Sequence, residues 1–140
     1  MRIAAARPSP ASPPLVLVVD DDQNSRQGIA EFLVGAGYRV SEAADGPEAL
    51  GKALRRRPDI VLLDLAIPKV DGWTVARAIK ADPGLAHVPV VAVSGFDYPT
   101  ERARAQAAGC DAFLAKPCEP PQLLQIIERL LGLRLKAAAG

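Results

Sequence analysis

From Leu15 onward the chain alternates short apolar runs with stretches in which apolar residues recur every three or four positions. These are the patterns of a buried strand and of an amphipathic helix. Leu15–Val19 is the first run. A helix is predicted over residues 24–36, where Ile29, Phe32 and Leu33 fall at i, i+3 and i+4 and Gly35 and Gly37 stop it. A second strand over 38–43 is broken by Asp45-Gly46-Pro47, and 48–57 continues as a helix with Pro47 well placed near its first turn. The third pair is a strand over 60–63, a loop to Gly72 and a helix to about Ala81. A β-branched run over 88–93 suits a strand buried on both faces, and its helix spans about 100–108. The fifth pair is Ala112–Ala115 and a helix over about 120–133, with Leu123, Ile127 and Leu130 on one face.

Five strand–helix pairs of this length imply right-handed crossovers, a parallel sheet and helices on both faces, a three-layer α/β/α fold. Its binding crevice lies at the carboxyl ends of the strands. The first 14 residues hold four prolines and little that could pack, so 1–14 reads as a disordered or extended leader, 15–133 as one domain and 134–140 as a short alanine-rich tail.

Composition narrows the picture further. In a 140-residue chain, 17 basic and 16 acidic side chains are interspersed and nearly cancel, so no field of one sign exists to hold a nucleic acid backbone. No apolar run approaches the ~18–20 residues of a membrane span, and the N-terminal segment lacks a secretory signal, so a cytoplasmic protein is expected. Cys110 and Cys118 flank the fifth strand, too far apart for a disulfide, and read as free thiols.

The chemistry gathers at one rim. Strand one ends in Asp20-Asp21-Asp22, strand three in Asp64, strand four in Ser94-Gly95 and strand five in Lys116-Pro117. Singly, each has an ordinary explanation: an acidic helix cap, turn residues, a solvated lysine. Together they crowd several carboxylates, whose mutual repulsion must be offset by positive charge. Lys116 supplies one charge, and hard carboxylate oxygens suit Mg²⁺ or Mn²⁺. His87, the only histidine, is expected in the loop before strand four as a solvated residue, so no imidazole cluster is available for zinc.

Four segments stand out: LVLVVDDD at 15–22, PDIVLLDLAIPKVDG at 58–72, VVAVSG at 90–95 and AGCDAFLAKP at 108–117. With these in order, the sequence resembles the receiver domain of bacterial two-component response regulators over residues 15 to about 133. The resemblance implies a flavodoxin-like (βα)5 fold with strand order 2-1-3-4-5. It implies Asp64 as phosphoacceptor, Asp20 and Asp21 as the acidic pair at a Mg²⁺ (or Mn²⁺) site that also uses Asp64 and the Ala66 backbone carbonyl, and Ser94 and Lys116 as contacts to the phosphoryl oxygens. It implies as partners a histidine kinase or phosphotransfer protein and a downstream protein target, with neither nucleic acid nor membrane bound, and a homodimer through α4-β5-α5 as a further option. Apart from assisting its own phosphorylation and dephosphorylation, such a domain turns over no separate substrate.

Ser94 and Phe113 match the family's hydroxyl and aromatic switch positions. Phe113 has two readings, a mobile switch or a permanent core residue, since it lacks the hydroxyl a tyrosine would use. Ala66 and Phe96 stand where many relatives carry polar side chains, which implies slow hydrolysis of the phosphorylated form. Leu124, Ile126 and Leu131 form a second apolar set on the last helix, either a partner face or further core. Trp73 is expected half exposed near the site loop or packed beneath it. Three rivals remain. A degenerate receiver acting as a scaffold would not need Asp20, Asp21, Asp64, Ser94 and Lys116 together. A nucleotide-binding enzyme would need a glycine loop after strand one, and an aspartyl phosphohydrolase would need a cap. With no output domain after 133, the expectation is action by docking or a receiver taken from a longer chain.

Overall fold

The structure, a computed structural model, describes residues 12–95 and 99–139, with side chains as far as Gly132. Five strands, β1 (Leu15–Val19), β2 (Arg39–Ala43), β3 (Ile60–Asp64), β4 (Val90–Ser94) and β5 (Ala112–Ala115), form one parallel sheet. The order is β2-β1-β3-β4-β5, as the resemblance implies. The helices are α1 (Gln23–Gly35), α2 (Gly46–Arg56), α3 (Gly72–Ala81), α4 (Pro99–Ala107) and α5 (Pro120–Ala139).

Burial follows the strand order. β1, β3 and β4 are buried along their whole length, which is why they read as unbroken apolar runs. β2 and β5 are the edges and are only partly covered. Alternate residues feed two cores. Val16, Val18, Leu62 and Val91 pack with Leu33 of α1 and Leu123 and Ile127 of α5. Leu17, Val19, Leu63 and Ala92 pack with Ala49 of α2, Val75 and Ile79 of α3 and Ala105 of α4.

Strand order reverses between β1 and β3, whose carboxyl ends carry Asp20 and Asp64. The loop after β3 is held by two glycines. A Cβ on Gly72 would lie 2.6 Å from the Leu65 Cα, and one on Gly46 would lie 2.6 Å from the Val70 Cβ, so the loop packs directly on backbone.

Several element ends differ from expectation. α2 starts two residues early because Asp45 caps it, accepting from the Glu48 amide at 2.8 Å. β4 begins at Val90: the Val88 amide bonds the Leu85 carbonyl, and Pro89 contributes only its carbonyl, to Val61. α5 continues to Ala139, so the expected tail is helical almost to its end, built from good helix formers (Leu, Lys, Arg, Ala). The expected leader lies outside the described residues as far as Ala11, but Pro13 and Pro14 are tied down, their carbonyls accepting from the Arg39 side chain and amide. Leu131 is buried and Ile126 packs against the α1/α5 core, so these residues of the second apolar set on α5 serve mainly to cover the sheet. No helix among the described residues is long and apolar enough to cross a membrane.

Candidate phosphorylation and metal site

Three strand ends bring the carboxylates together. One oxygen each from Asp20, Asp21 and Asp64 lies within 4.8 Å of the others. Asp20 and Asp64 are buried and Asp21 is exposed. The buried pair is oriented by backbone: Asp20 Oδ1 accepts from the Asp22 amide and Asp64 Oδ1 from the Ala66 amide, both at 2.9 Å. Asp22 occupies the N-cap position of α1 without making a side-chain cap, so the acidic triplet is more than a capping cluster.

Lys116 reaches in from the end of β5. Its Nζ donates to Asp64 Oδ2 at 2.7 Å and lies 3.8 Å from Asp20 Oδ2. Its own amide donates to the Ser94 carbonyl at 2.7 Å, which fixes the lysine beside β4, and the bond to Pro117 is cis. Ser94 is buried at the same rim, one residue beyond the position on β4 that pairs with Asp64.

Electrostatics match this geometry. Burial pushes the Asp64 carboxyl above its ordinary range, and the Lys116 and Ala66 hydrogen bonds only partly offset that. Burial alone would depress the Lys116 ammonium, but the hydrogen bond to Asp64 and the charges of Asp64, Asp20 and Asp21 outweigh it and raise it. One cation therefore faces three carboxylates, a deficit of positive charge. The donors are all hard oxygens, and no imidazole or thiolate is part of the cluster, which fits Mg²⁺ or Mn²⁺. His87 is exposed in the loop before β4, away from the cluster, as expected.

Residues 16–128 match the response regulator receiver domain. The chain belongs to this family. It is 32% identical over 120 residues to the polar-differentiation response regulator DivK of Brucella anthropi, covering 86% of this chain and 98% of that protein. It is 38% identical over 120 residues to the response regulator PleD of Caulobacter vibrioides, of which it spans only 26%. Among solved structures it is similar to a CheY-like receiver domain protein from Methanospirillum hungatei, at a TM-score of 0.85 and 26% identity over 90% of this chain and 99% of that one. The receiver domain of a sensor histidine kinase from Pseudomonas aeruginosa, with a magnesium ion coordinated in its active site cleft, gives a TM-score of 0.80 at 32% identity, covering 86% and 99%. Two-component signalling is thus the setting of this domain, and a phosphoacceptor role is general to it.

The remaining expected residues fall close by. Ala66 is exposed two positions past Asp64. Phe113 is half-buried against the α2/α3/α4 core, with the Arg102 guanidinium 4.6 Å over its ring. Trp73 packs on the same core, its Nε1 buried without a partner, and Arg104 stacks 3.7 Å over its ring. Phe96 lies outside the described residues. Cys110 and Cys118 are free thiols.

Three features escaped the sequence reading. A cavity of about 460 Å³ opens beside the carboxylates on the α1/α5 side, lined by Ser25, Ile29, Cys118 and Leu123 together with Asp64 and Lys116. Lys69, left-handed at φ 75°, pairs with Asp45 at 3.2 Å and ties the loop after β3 to α2. Arg26 on α1 donates to the Asp20 carbonyl at 2.9 Å and pairs with Glu42 at 3.0 Å. Its signal in the sequence is a cation in the first turn of a helix, the end where the macrodipole disfavours one.

Proposed function

We propose that this chain is a phosphorylation-controlled switch that accepts a phosphoryl group on Asp64 from a histidine kinase, a phosphotransfer protein or a small phosphodonor. The observation that carries the reading is the convergence of three carboxylates within 4.8 Å on one ammonium, Lys116, at 2.7 Å from Asp64. Asp20, Asp21, Asp64 and the Ala66 carbonyl would hold Mg²⁺ or Mn²⁺. When bound, the cation supplies positive charge to the phosphoryl oxygens.

The chain's own residues do the rest. The Ala66 amide and Lys116 aim the Asp64 carboxylate, which is an oxygen nucleophile without needing a base. An Asp64 oxygen attacks phosphorus, an O–P bond forms, and the donor's bond to phosphorus breaks with its electron pair leaving on the donor. Lys116 then turns to a phosphoryl oxygen and Ser94 donates to another, spreading the charge of a loose transition state. Attack by water on phosphorus returns the Asp64 carboxylate and inorganic phosphate. With Ala66 offering no side-chain hydrogen bond to that water, hydrolysis is slow without a partner phosphatase.

Output follows from α4, the helix least secured to the sheet. Its one buried residue within Pro99–Ala107 is Ala105, and two guanidinium–ring contacts pin it, Arg104 to Trp73 on α3 and Arg102 to Phe113 on β5. Movement of Ser94 toward the phosphoryl group biases Phe113, and with it α4, between two arrangements of the α4-β5-α5 surface. A downstream protein, or a second copy of the chain, reads that surface.

Incubation with acetyl phosphate and Mg²⁺, followed by intact mass measurement, tests the reading. One phosphoryl group should add to the wild type and none to Asp64→Asn. Equal labelling of both, or labelling of neither, removes the proposal in favour of an unphosphorylated interaction module.

A further inference from the structure

We propose that Arg26 is a positioning residue for the metal, fixing Asp20 through its main-chain carbonyl rather than through its carboxylate; the inference rests on the metal reading above. Asp20 is held at three points. Its amide donates to the Ala43 carbonyl at 3.0 Å, its Oδ1 accepts from the Asp22 amide, and its carbonyl accepts from Arg26 Nη1. The first bond joins Asp20 to β2 and the second shapes the turn into α1. The third comes from α1 itself, so the turn is closed on both sides.

The guanidinium is in turn fixed. Its Nε donates to Glu42 on β2 at 3.0 Å, and the Arg26 side chain is only 15% exposed. Lys52 of α2 donates to the Glu42 carbonyl, joining α2 to the same strand end. The planar fork suits this task, since Nε and Nη1 serve two acceptors on different elements at once. A lysine would offer one point charge and could not span both.

Charge alone would argue the other way. A cation beside a Mg²⁺ site repels the ion, and a cation at the first turn of α1 opposes the helix dipole. Arg26 therefore works against the metal electrostatically while working for it geometrically. The two effects give opposite signs on removal, which makes them separable.

The test is Mg²⁺ affinity by isothermal titration calorimetry on the unphosphorylated protein, with folding of each variant checked by thermal denaturation. Arg26→Ala should weaken Mg²⁺ binding tenfold or more, as loss of groups that orient metal ligands generally does. Arg26→Lys, which keeps the charge and loses the fork, should weaken it comparably. Glu42→Gln, which leaves the bond to the Asp20 carbonyl, should weaken it less. Unchanged or tighter binding in Arg26→Ala, or full rescue by lysine, overturns the inference while leaving the metal site intact. Should Arg26→Ala fail to fold, the lysine variant decides alone. Absence of Mg²⁺ binding in the wild type overturns both the inference and the reading beneath it.

Discussion

Replacing Asp64 by asparagine should stabilise the metal-free protein and make it unresponsive to Mg²⁺. In the folded chain Lys116 at 2.7 Å favours ionised Asp64 by about 6 kcal/mol at an effective dielectric of 20. Asp20, within 4.8 Å, takes back about 3.5 kcal/mol, and exposed Asp21 roughly 1. Against the remainder stands the several kcal/mol of desolvating a buried carboxylate. That burial outweighs the rest is the reason the Asp64 carboxyl is held above its ordinary range. An acid so raised binds more protons folded than unfolded, so its contribution to stability falls as pH rises. The cost is absent below the ordinary aspartate value of about 3.9 and complete once pH passes the raised folded value. In EDTA at pH 7, Asp64→Asn should therefore exceed the wild type by about 1–2 kcal/mol, a rise in Tm of roughly 3–8 °C. The gap should close as pH falls toward 4. With Mg²⁺ at a hundred times its Kd, the wild type alone should gain about 2.7 kcal/mol and overtake the variant. Thermal melts at several pH values, with and without Mg²⁺, read all of this. An Asp64→Asn protein less stable than the wild type in EDTA at pH 7 would refute the reasoning, because the Lys116 pair would then outweigh the burial.

Other consequences are local. Arg104→Ala should cost about 0.5–1 kcal/mol and shift the emission of Trp73, the single tryptophan, whose ring the guanidinium covers; unchanged emission would contradict the contact. Beryllofluoride with Mg²⁺ should alter the same emission in the wild type, since α4 is pinned to Trp73, and leave Asp64→Asn unaffected. Gly72→Ala should cost about 1–3 kcal/mol in urea denaturation, because its Cβ would meet the Leu65 backbone. Burial pushes the Cys110 thiol up to about 11, so at pH 8 only about one molecule in a thousand carries its thiolate and disulfide reagents should label it slowly.

The sequence made the strands legible because β1, β3 and β4 are buried on both faces, so each is an uninterrupted apolar run. Site residues were legible for a related reason: in a parallel sheet every reactive side chain must follow a strand, which put Asp20, Asp64, Ser94 and Lys116 on one rim. Helix ends were less so. The start of α2 depends on whether Asp45 turns back to cap the helix, a backbone choice that composition does not record. Leu131 and Ile126 looked spare on a helical wheel, yet the sheet is wide enough for α5 to bury them. Arg26 escaped because its importance lies in reaching a main-chain carbonyl on another element, and periodicity carries no trace of such a bond. The stacking of Arg102 and Arg104 on aromatic rings was hidden in the same way, by contacts between elements far apart in sequence.

The most direct measurement is chemical mapping of the acyl phosphate. After exposure to acetyl phosphate and Mg²⁺, borohydride reduction converts a phosphorylated aspartate to homoserine, and peptide sequencing by mass spectrometry locates it. The account requires homoserine at position 64 and nowhere else, with none when EDTA replaces Mg²⁺. Homoserine at position 20 or 21, or equal conversion without the metal, would contradict it.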